Sequence, residues 1–269
     1  MISSRKNEKI ISASKLSDKK ARDKEGLFFV EGAKLLEEAN LEGLTVRTMF
    51  FTEDAYERYK ALIDSTECNE KLLVTSEVYE KVTNETSPQG IFAVIKKPSA
   101  CIFNASDLKQ GGFLILEDVQ NPLNIGAIFR CAYALGTSKI ILSKGCADVY
   151  NPKVLRSAMG SIFKARFTYV DSVYGFIKDQ LTVGNRVLCT ALKEDSAALG
   201  SFPFLDGDNV VIGNEGNGVK DETINLCKNS IIIPMTEGAE SLNAATACSV
   251  MLWEMNKQKL IDTYKLKGE

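Results

Sequence analysis

The 269-residue sequence contains no histidine. That absence excludes the Ser-His-Asp and Cys-His nucleophile systems and leaves a zinc site few candidate ligands. Any general base must come from Asp, Glu, Lys, Tyr, Cys or Arg, or from the substrate itself. The seven cysteines lie scattered at 68, 101, 131, 146, 189, 227 and 248, with no C-x-x-C pair, so no metal site is expected. No apolar run approaches the ~18 residues of a membrane span. The opening MISSRKNEKI lacks the apolar core of a secretory signal. The expectation is a reduced, soluble, cytoplasmic protein without membrane contact. Neither charge sign dominates: the formal net charge is -2, which by itself makes no case for a polyanionic partner.

Apolar residues make up 45% of the chain and charged residues 25%, an ordinary balance for a globular protein with enough length for two domains. The charge is unevenly placed. Residues 1–25 carry eight Lys/Arg against four acids, +4, so the remainder is -6. Arg5, Lys6, Lys9, Lys15, Lys19, Lys20 and Arg22 are candidates for an RNA-contacting arm, and a solvated helix face is the competing explanation. FFVEG, VRTMFF, KLLVTS and GIFAVIKK read as strands. KNEKIISASKLSDKKARDKEG, AKLLEEANL, DAYERYKALI and SEVYEKVT read as helices. This predicts a small α/β domain over residues 1–97, followed by a Pro- and Gly-containing linker at 98–111.

Residues 112–269 hold FLILEDV, KIILSK, RVLCTAL, NVVIGN and SIIIPM, short apolar runs rich in β-branched residues. Strands of a parallel sheet covered on both faces have this pattern. Helix-like segments alternate with them, which predicts an α/β layered fold with its ligand site beyond the carboxyl ends of the strands. Three of those ends carry polar cargo. In EDVQNPLNIGAIFR, Asn124 is placed to cap a helix, Gly126 permits close approach, and Arg130 stands among Ile128, Phe129 and Ala132. In VVIGNEGNGV, three glycines frame Asn214, Glu215 and Asn217, a loop that brings backbone N–H groups near a ligand. Its order is neither a dinucleotide fingerprint nor a P-loop. In IIIPMTEGAESLNAATACSVMLWE, Ser241 or Asn243 begins a long helix whose alanines allow close packing.

In this order the three stretches resemble the motifs of the SpoU/TrmH-type RNA 2′-O-ribose methyltransferases, within the SPOUT superfamily. Asn121, Pro122, Asn124, Gly126 and Arg130 match the first motif. Gly213, Glu215 and Gly218 match the second. Ile233, Pro234, Met235, Ser241, Leu242 and Asn243 match the third. Cys131 and Ala244-Ala245 depart from the usual residues. FFVEGAKLLEEA and SPQGIFAV resemble the smaller RNA-binding domain, similar to ribosomal protein L30e, of ribosomal-RNA members.

The resemblance implies a parallel sheet with a C-terminal trefoil knot, a homodimer, and S-adenosylmethionine as cofactor. Thr190, Ala191, Gly213, Asn214, Gly218, Ile233, Met235 and Leu242 would hold the cofactor. Arg130, Asn124, Glu215, Ser241 and Asn243 would form the catalytic set, acting on a ribose of ribosomal RNA. A tRNA ribose methyltransferase and a non-catalytic RNA-binding or ribosome-assembly protein are the alternatives.

Overall fold

The computed structural model describes residues 1–83, 85–99, 101–191, 193, 196–227, 229–239 and 241–266. In chain order its elements begin α1 (Glu8–Lys15), α2 (Lys19–Glu25), β1 (Leu27–Glu31), α3 (Ala33–Leu41), β2 (Val46–Phe51) and α4 (Glu53–Ser65). Next come β3 (Cys68–Leu73), α5 (Ser76–Tyr79), β4 (Ile91–Lys96), α6 (Ala105–Gln110), β5 (Phe113–Leu116) and α7 (Pro122–Ala134). β6 (Lys139–Ser143), α8 (Pro152–Ala158), α9 (Ser161–Lys164), β7 (Arg166–Val170), α10 (Val173–Thr182) and β8 (Val187–Thr190) follow. The chain closes with β9 (Ala197–Ala198), β10 (Asn209–Ile212), α11 (Asp221–Cys227), β11 (Asn229–Ile232) and α12 (Ala244–Leu266). Two compact units result. One comprises Met1–Ser99 with Asp148–Phe163, and the other comprises the described residues of Ala100–Ala147 and Lys164–Glu269.

The first unit is built on a four-stranded sheet ordered β1-β4-β2-β3. β4 runs antiparallel to β1 and β2, while β2 and β3 are parallel. Its core gathers Ile10, Phe29, Phe50, Val78, Tyr79 and Phe92, with the Phe50 and Phe92 rings stacked at 4.4 Å. The single helix expected across KNEKIISASKLSDKKARDKEG, residues 6–26, is two helices. Asp18 accepts from the Lys20 backbone N–H and starts α2, and Gly26 at φ 63 ends it. The expected polar face of α1 is only one side, because Ile10, Ala13 and Leu16 recur at helical spacing and are buried.

Arg22 requires a correction. It is 1% exposed and does not belong to an RNA-contacting face. Its Nε and Nη2 donate to Asp148 Oδ2 at 3.0 and 2.5 Å, and its Nη1 donates to the Leu16 and Ser17 carbonyls. A buried charge survives only when paired and hydrogen-bonded in this way. The same unit gains Phe28 against Tyr150, ring centroids 4.7 Å apart, so residues 148–163 complete the core of residues 1–99.

The second unit holds a seven-stranded sheet ordered β7-β6-β5-β10-β8-β11-β9, and each adjacent pair is parallel. β5 and β10 are buried at all four positions, β5 as an unbroken apolar run and β10 as three apolar residues after Asn209, whose buried side chain accepts from the Phe113 N–H and donates to the Arg186 carbonyl. From β5 the chain builds outward through β6 and β7, then returns to build β8, β10 and β11 on the other side. Their carboxyl ends face one site at that reversal. α12 packs on α7. Residues 98–111 contain α6, begun by a capping box between Asn104 and Asp107. Asp107 also takes two hydrogen bonds of 2.7 Å from Arg166. Among the described residues, no helix is long and apolar enough to cross a membrane. None of their His, Cys, Asp or Glu side chains form a group of three or more placed to hold a metal ion.

Candidate active site

The site is assembled from the chain that follows β5, β8, β10 and β11. Asn121, rather than Asn124, caps α7: its side chain accepts from the Leu123 N–H at 2.9 Å, and Pro122 takes the first helical position. Asn124 lies inside the first turn and is buried, so its amide is available for longer-range bonds. Its Nδ2 donates to Glu215 Oε1 at 2.9 Å, and its Oδ1 accepts from Asn243 Nδ2 at 2.9 Å. Asn243 in turn starts α12, accepting from the Ala245 and Thr246 N–H groups at 2.9 and 3.4 Å. Of the two expected starters, Asn243 and not Ser241 makes this cap. A continuous polar chain, Glu215 to Asn124 to Asn243, thus joins one residue from each motif.

Glu215 also accepts from the backbone N–H groups of Gln120 and Asn121 at 3.2 and 3.0 Å. Partial burial disfavours its charge, but the bonds from Asn124 and these N–H groups outweigh that effect and hold the carboxyl below the usual glutamate range. The loop that carries it is closed on itself. Asn214 and Gly218 exchange two backbone hydrogen bonds of 2.9 Å. The Asn214 side chain also accepts from the N–H groups of Gly216 and Asn217 at 2.9 and 3.0 Å. A Cβ on Gly213 would overlap the Gly218 and Val219 backbone, and Gly218 itself sits at φ 68. Gly213 is therefore a steric requirement, and Gly218 eases a left-handed turn.

These loops enclose a cavity of about 560 Å³. Thr190 and Ala191 line it from the end of β8, and Gly213, Asn214, Glu215 and Gly218 from the glycine loop. Ile233, Met235, Ser241 and Leu242 line it from the segment before α12. Ile212, Val219, Ile224, Ile231, Ala244 and Ala247 add apolar wall. Apolar walls with a few convergent polar groups are the usual build of a small-molecule site.

The sequence 112–253, which supplies this cavity, matches the family model described as the SpoU rRNA Methylase family. The chain belongs to the SpoU rRNA methylase family. Residues 7–93 match a second model, the MRM3-like substrate binding domain. The chain is 30% identical over 254 residues to the 23S rRNA (guanosine(2553)-2′-O)-methyltransferase RlmP of Bacillus subtilis, covering 94% of this chain and 98% of that protein. Its structure resembles the SpoU methyltransferase AviRb of Streptomyces viridochromogenes in complex with AdoMet, with a TM-score of 0.83, 25% identity and coverage of 95% and 99%. It also resembles an AdoMet-bound rRNA methyltransferase of Sinorhizobium meliloti, with a TM-score of 0.82, 26% identity and coverage of 96% and 97%. The family and the parallel α/β fold expected from the three motifs are thereby shown.

Within this SpoU-type chain, Arg130 is outside the cavity lining. It is exposed on α7 and, among the described residues, makes no hydrogen bond or ion pair. The N-terminal cations are exposed apart from Arg22. Arg5 pairs with Glu80, Lys9 with Glu70 and Lys19 with Asp23 at 3.4, 2.6 and 2.6 Å. Lys6, Lys15 and Lys20 carry no ion pair among the described residues. Two residues outside the expected set, Asp118 and Lys220, also stand beside the glycine loop, their Oδ2 and Nζ 2.7 Å apart. Nothing in linear spacing marks a pair set 102 positions apart on different strand ends.

Proposed function

We propose that this protein transfers the methyl group of S-adenosylmethionine to a ribose 2′-hydroxyl of ribosomal RNA. The carrying observation is the Glu215–Asn124–Asn243 chain, which locks three motif loops around one cavity. S-adenosylmethionine fits the donor set. Ile212, Val219, Ile231, Ile233 and Leu242 offer apolar surface for a flat base, and the end of β8 and the glycine loop offer main-chain groups. When bound, it supplies an electrophilic methyl on a sulfonium. The 2′-oxygen forms the new C–O bond as the C–S bond breaks, and the hydroxyl proton must leave. A guanidinium, with a pKa above ~12, is a poor acceptor for that proton. Arg130 therefore holds an RNA phosphate against the reacting ribose with its planar fork, and the phosphate takes the proton. Asn124 and Glu215 fix the start of α7, which carries Arg130. Asn243 fixes the start of α12, and Ser241 stands at the cavity wall to meet the ribose.

In the same reading the first unit is an L30e-like RNA-binding domain in a cytoplasmic enzyme, with Arg5, Lys6, Lys9, Lys15, Lys19 and Lys20 on its RNA face. The segment between β11 and α12 passes through the glycine loop as a trefoil knot. What supports the knot is the sheet order: the chain leaves β11, beyond β8 and β10, and returns as α12 to pack on α7. A crystallographic trace through residues 209–244 tests it. Leu123, Tyr133 and Trp253, 57%, 49% and 46% exposed on α7 and α12, support a homodimer through these helices, which analytical ultracentrifugation tests.

The functional test is transfer of label from radiolabelled S-adenosylmethionine to unmodified ribosomal RNA and, separately, to tRNA, with mapping of the modified ribose. Label at one ribosomal ribose is expected. Label only in tRNA overturns the substrate, and label in neither overturns the activity.

A further inference from the structure

Three residues before the first motif stands a residue in an unusual backbone conformation. Asp118 has φ 54, and Met159 is the only other non-glycine residue at positive φ among those described. This region disfavours side chains with a Cβ, although Asp tolerates it better than most. The conformation leaves both the backbone and the side chain of Asp118 turned to useful partners. Its carbonyl accepts from Asn214 Nδ2 at 2.8 Å. Its Oδ2 pairs with Lys220 Nζ at 2.7 Å, and its Oδ1 accepts from Ser143 Oγ at 2.6 Å. The Ser143 oxygen accepts in return from the Asp118 N–H at 2.9 Å. Gly145 lies against the carboxylate so closely that a Cβ there would overlap it. Lys220 and Ser143 hold the carboxyl below the usual aspartate range, so it is charged at neutral pH.

Asn214 and Lys220 are the two ends of the glycine loop. Asn214 lines the cavity and closes the turn, and Glu215 beside it holds Asn124. One residue at the end of β5 therefore grips both ends of a loop that follows β10. We propose that Asp118 is a positioning residue that clamps the glycine loop in its cavity-walling shape, and so sets affinity for S-adenosylmethionine rather than the rate of transfer. The inference rests on the cavity being the S-adenosylmethionine site. A half-exposed Lys–Asp pair adds little to global stability, so its loss is read locally in the loop.

The test uses the full chain with Asp118→Asn, Asp118→Gly, Lys220→Gln and Lys220→Arg. Calorimetric titration with S-adenosylhomocysteine is expected to show about fivefold weaker binding for Asp118→Asn and Lys220→Gln. Lys220→Arg restores binding to within about twofold, because it keeps the pair. Asp118→Gly keeps the backbone conformation and loses only the carboxylate, so it behaves as Lys220→Gln does. The KM for S-adenosylmethionine rises while kcat at saturation holds, and amide exchange at 214–220 speeds up. Unchanged binding and exchange in Lys220→Gln and Asp118→Asn overturn the clamp. So does a lower kcat with an unchanged KM, the mark of an interaction made only in the transition state. If the wild type binds neither ligand, the cofactor reading fails, and loop exchange in Lys220→Gln still decides the clamp.

Discussion

Asn124 directs the two ends of its side-chain amide to two different loops. Asn124→Ala leaves Glu215 and Asn243 each without that partner, at a cost of about 1–3 kcal/mol. A lower melting temperature and loss of methyl transfer are expected. Arg130 predicts the opposite division. Arg130→Lys keeps the charge and loses the fork, so transfer falls by about 10²-fold or more. Its affinity for S-adenosylhomocysteine stays within about twofold of wild type, since Arg130 does not line the cavity. Glu215 sets a pH dependence. Its folded pKa lies below the unfolded value, so its stabilising contribution is complete above the usual glutamate range and disappears as pH falls through the folded pKa. Stability is therefore expected to be level near neutrality and to fall in acid, with a shallower acid fall in Glu215→Gln, as thermal melts against pH will show. The motif spacing made these residues legible as a set. It did not reveal that Asn121 makes the cap and thereby leaves Asn124 to bridge.

Elements with pure patterns were legible almost to the residue. VRTMFF is β2 although Arg47 is exposed, and β5 is the first four residues, FLIL, of the expected run FLILEDV, the part that is buried throughout as an unbroken apolar run requires. Mixed patterns were not. RFTYV forms β7 at the sheet edge with Arg166 and Tyr169 exposed and the other three residues partly exposed, so its apolar signal is diluted by the side that meets water. α6 was hidden in an assigned linker, since a six-residue helix held by its Asn104–Asp107 box needs little apolar face. The glycine loop is the element most sensitive to size. Gly213→Ala pushes the Gly218–Val219 peptide away from residue 213, so binding of S-adenosylhomocysteine is expected to fall below detection in a calorimetric titration. The parallel sheet should retain its far-UV circular dichroism signature.

Across the full chain, the decisive contacts are remote. Asn124 is 91 positions from Glu215 and 119 from Asn243, and Arg22 is 126 from Asp148. Local periodicity cannot register such pairs, so only the ordered motifs hinted at the first two and nothing hinted at the third. RNA affinity is expected to fall with salt, and Lys6→Gln, Lys15→Gln and Lys20→Gln together should flatten the slope of log K against log salt by up to about 3 units. An unchanged slope in a filter-binding titration removes these residues from the RNA face.

The Arg22–Asp148 pair has a consequence for biosynthesis. A ribosome delivers Arg22 first and Asp148 only after 125 intervening residues. Until residues 148–163 emerge, the nascent first unit holds a guanidinium that cannot be buried without its counter-charge. The amino-terminal unit therefore cannot finish before β5 and β6 of the second unit's sheet have been translated, and its maturation is timed by the middle of the chain.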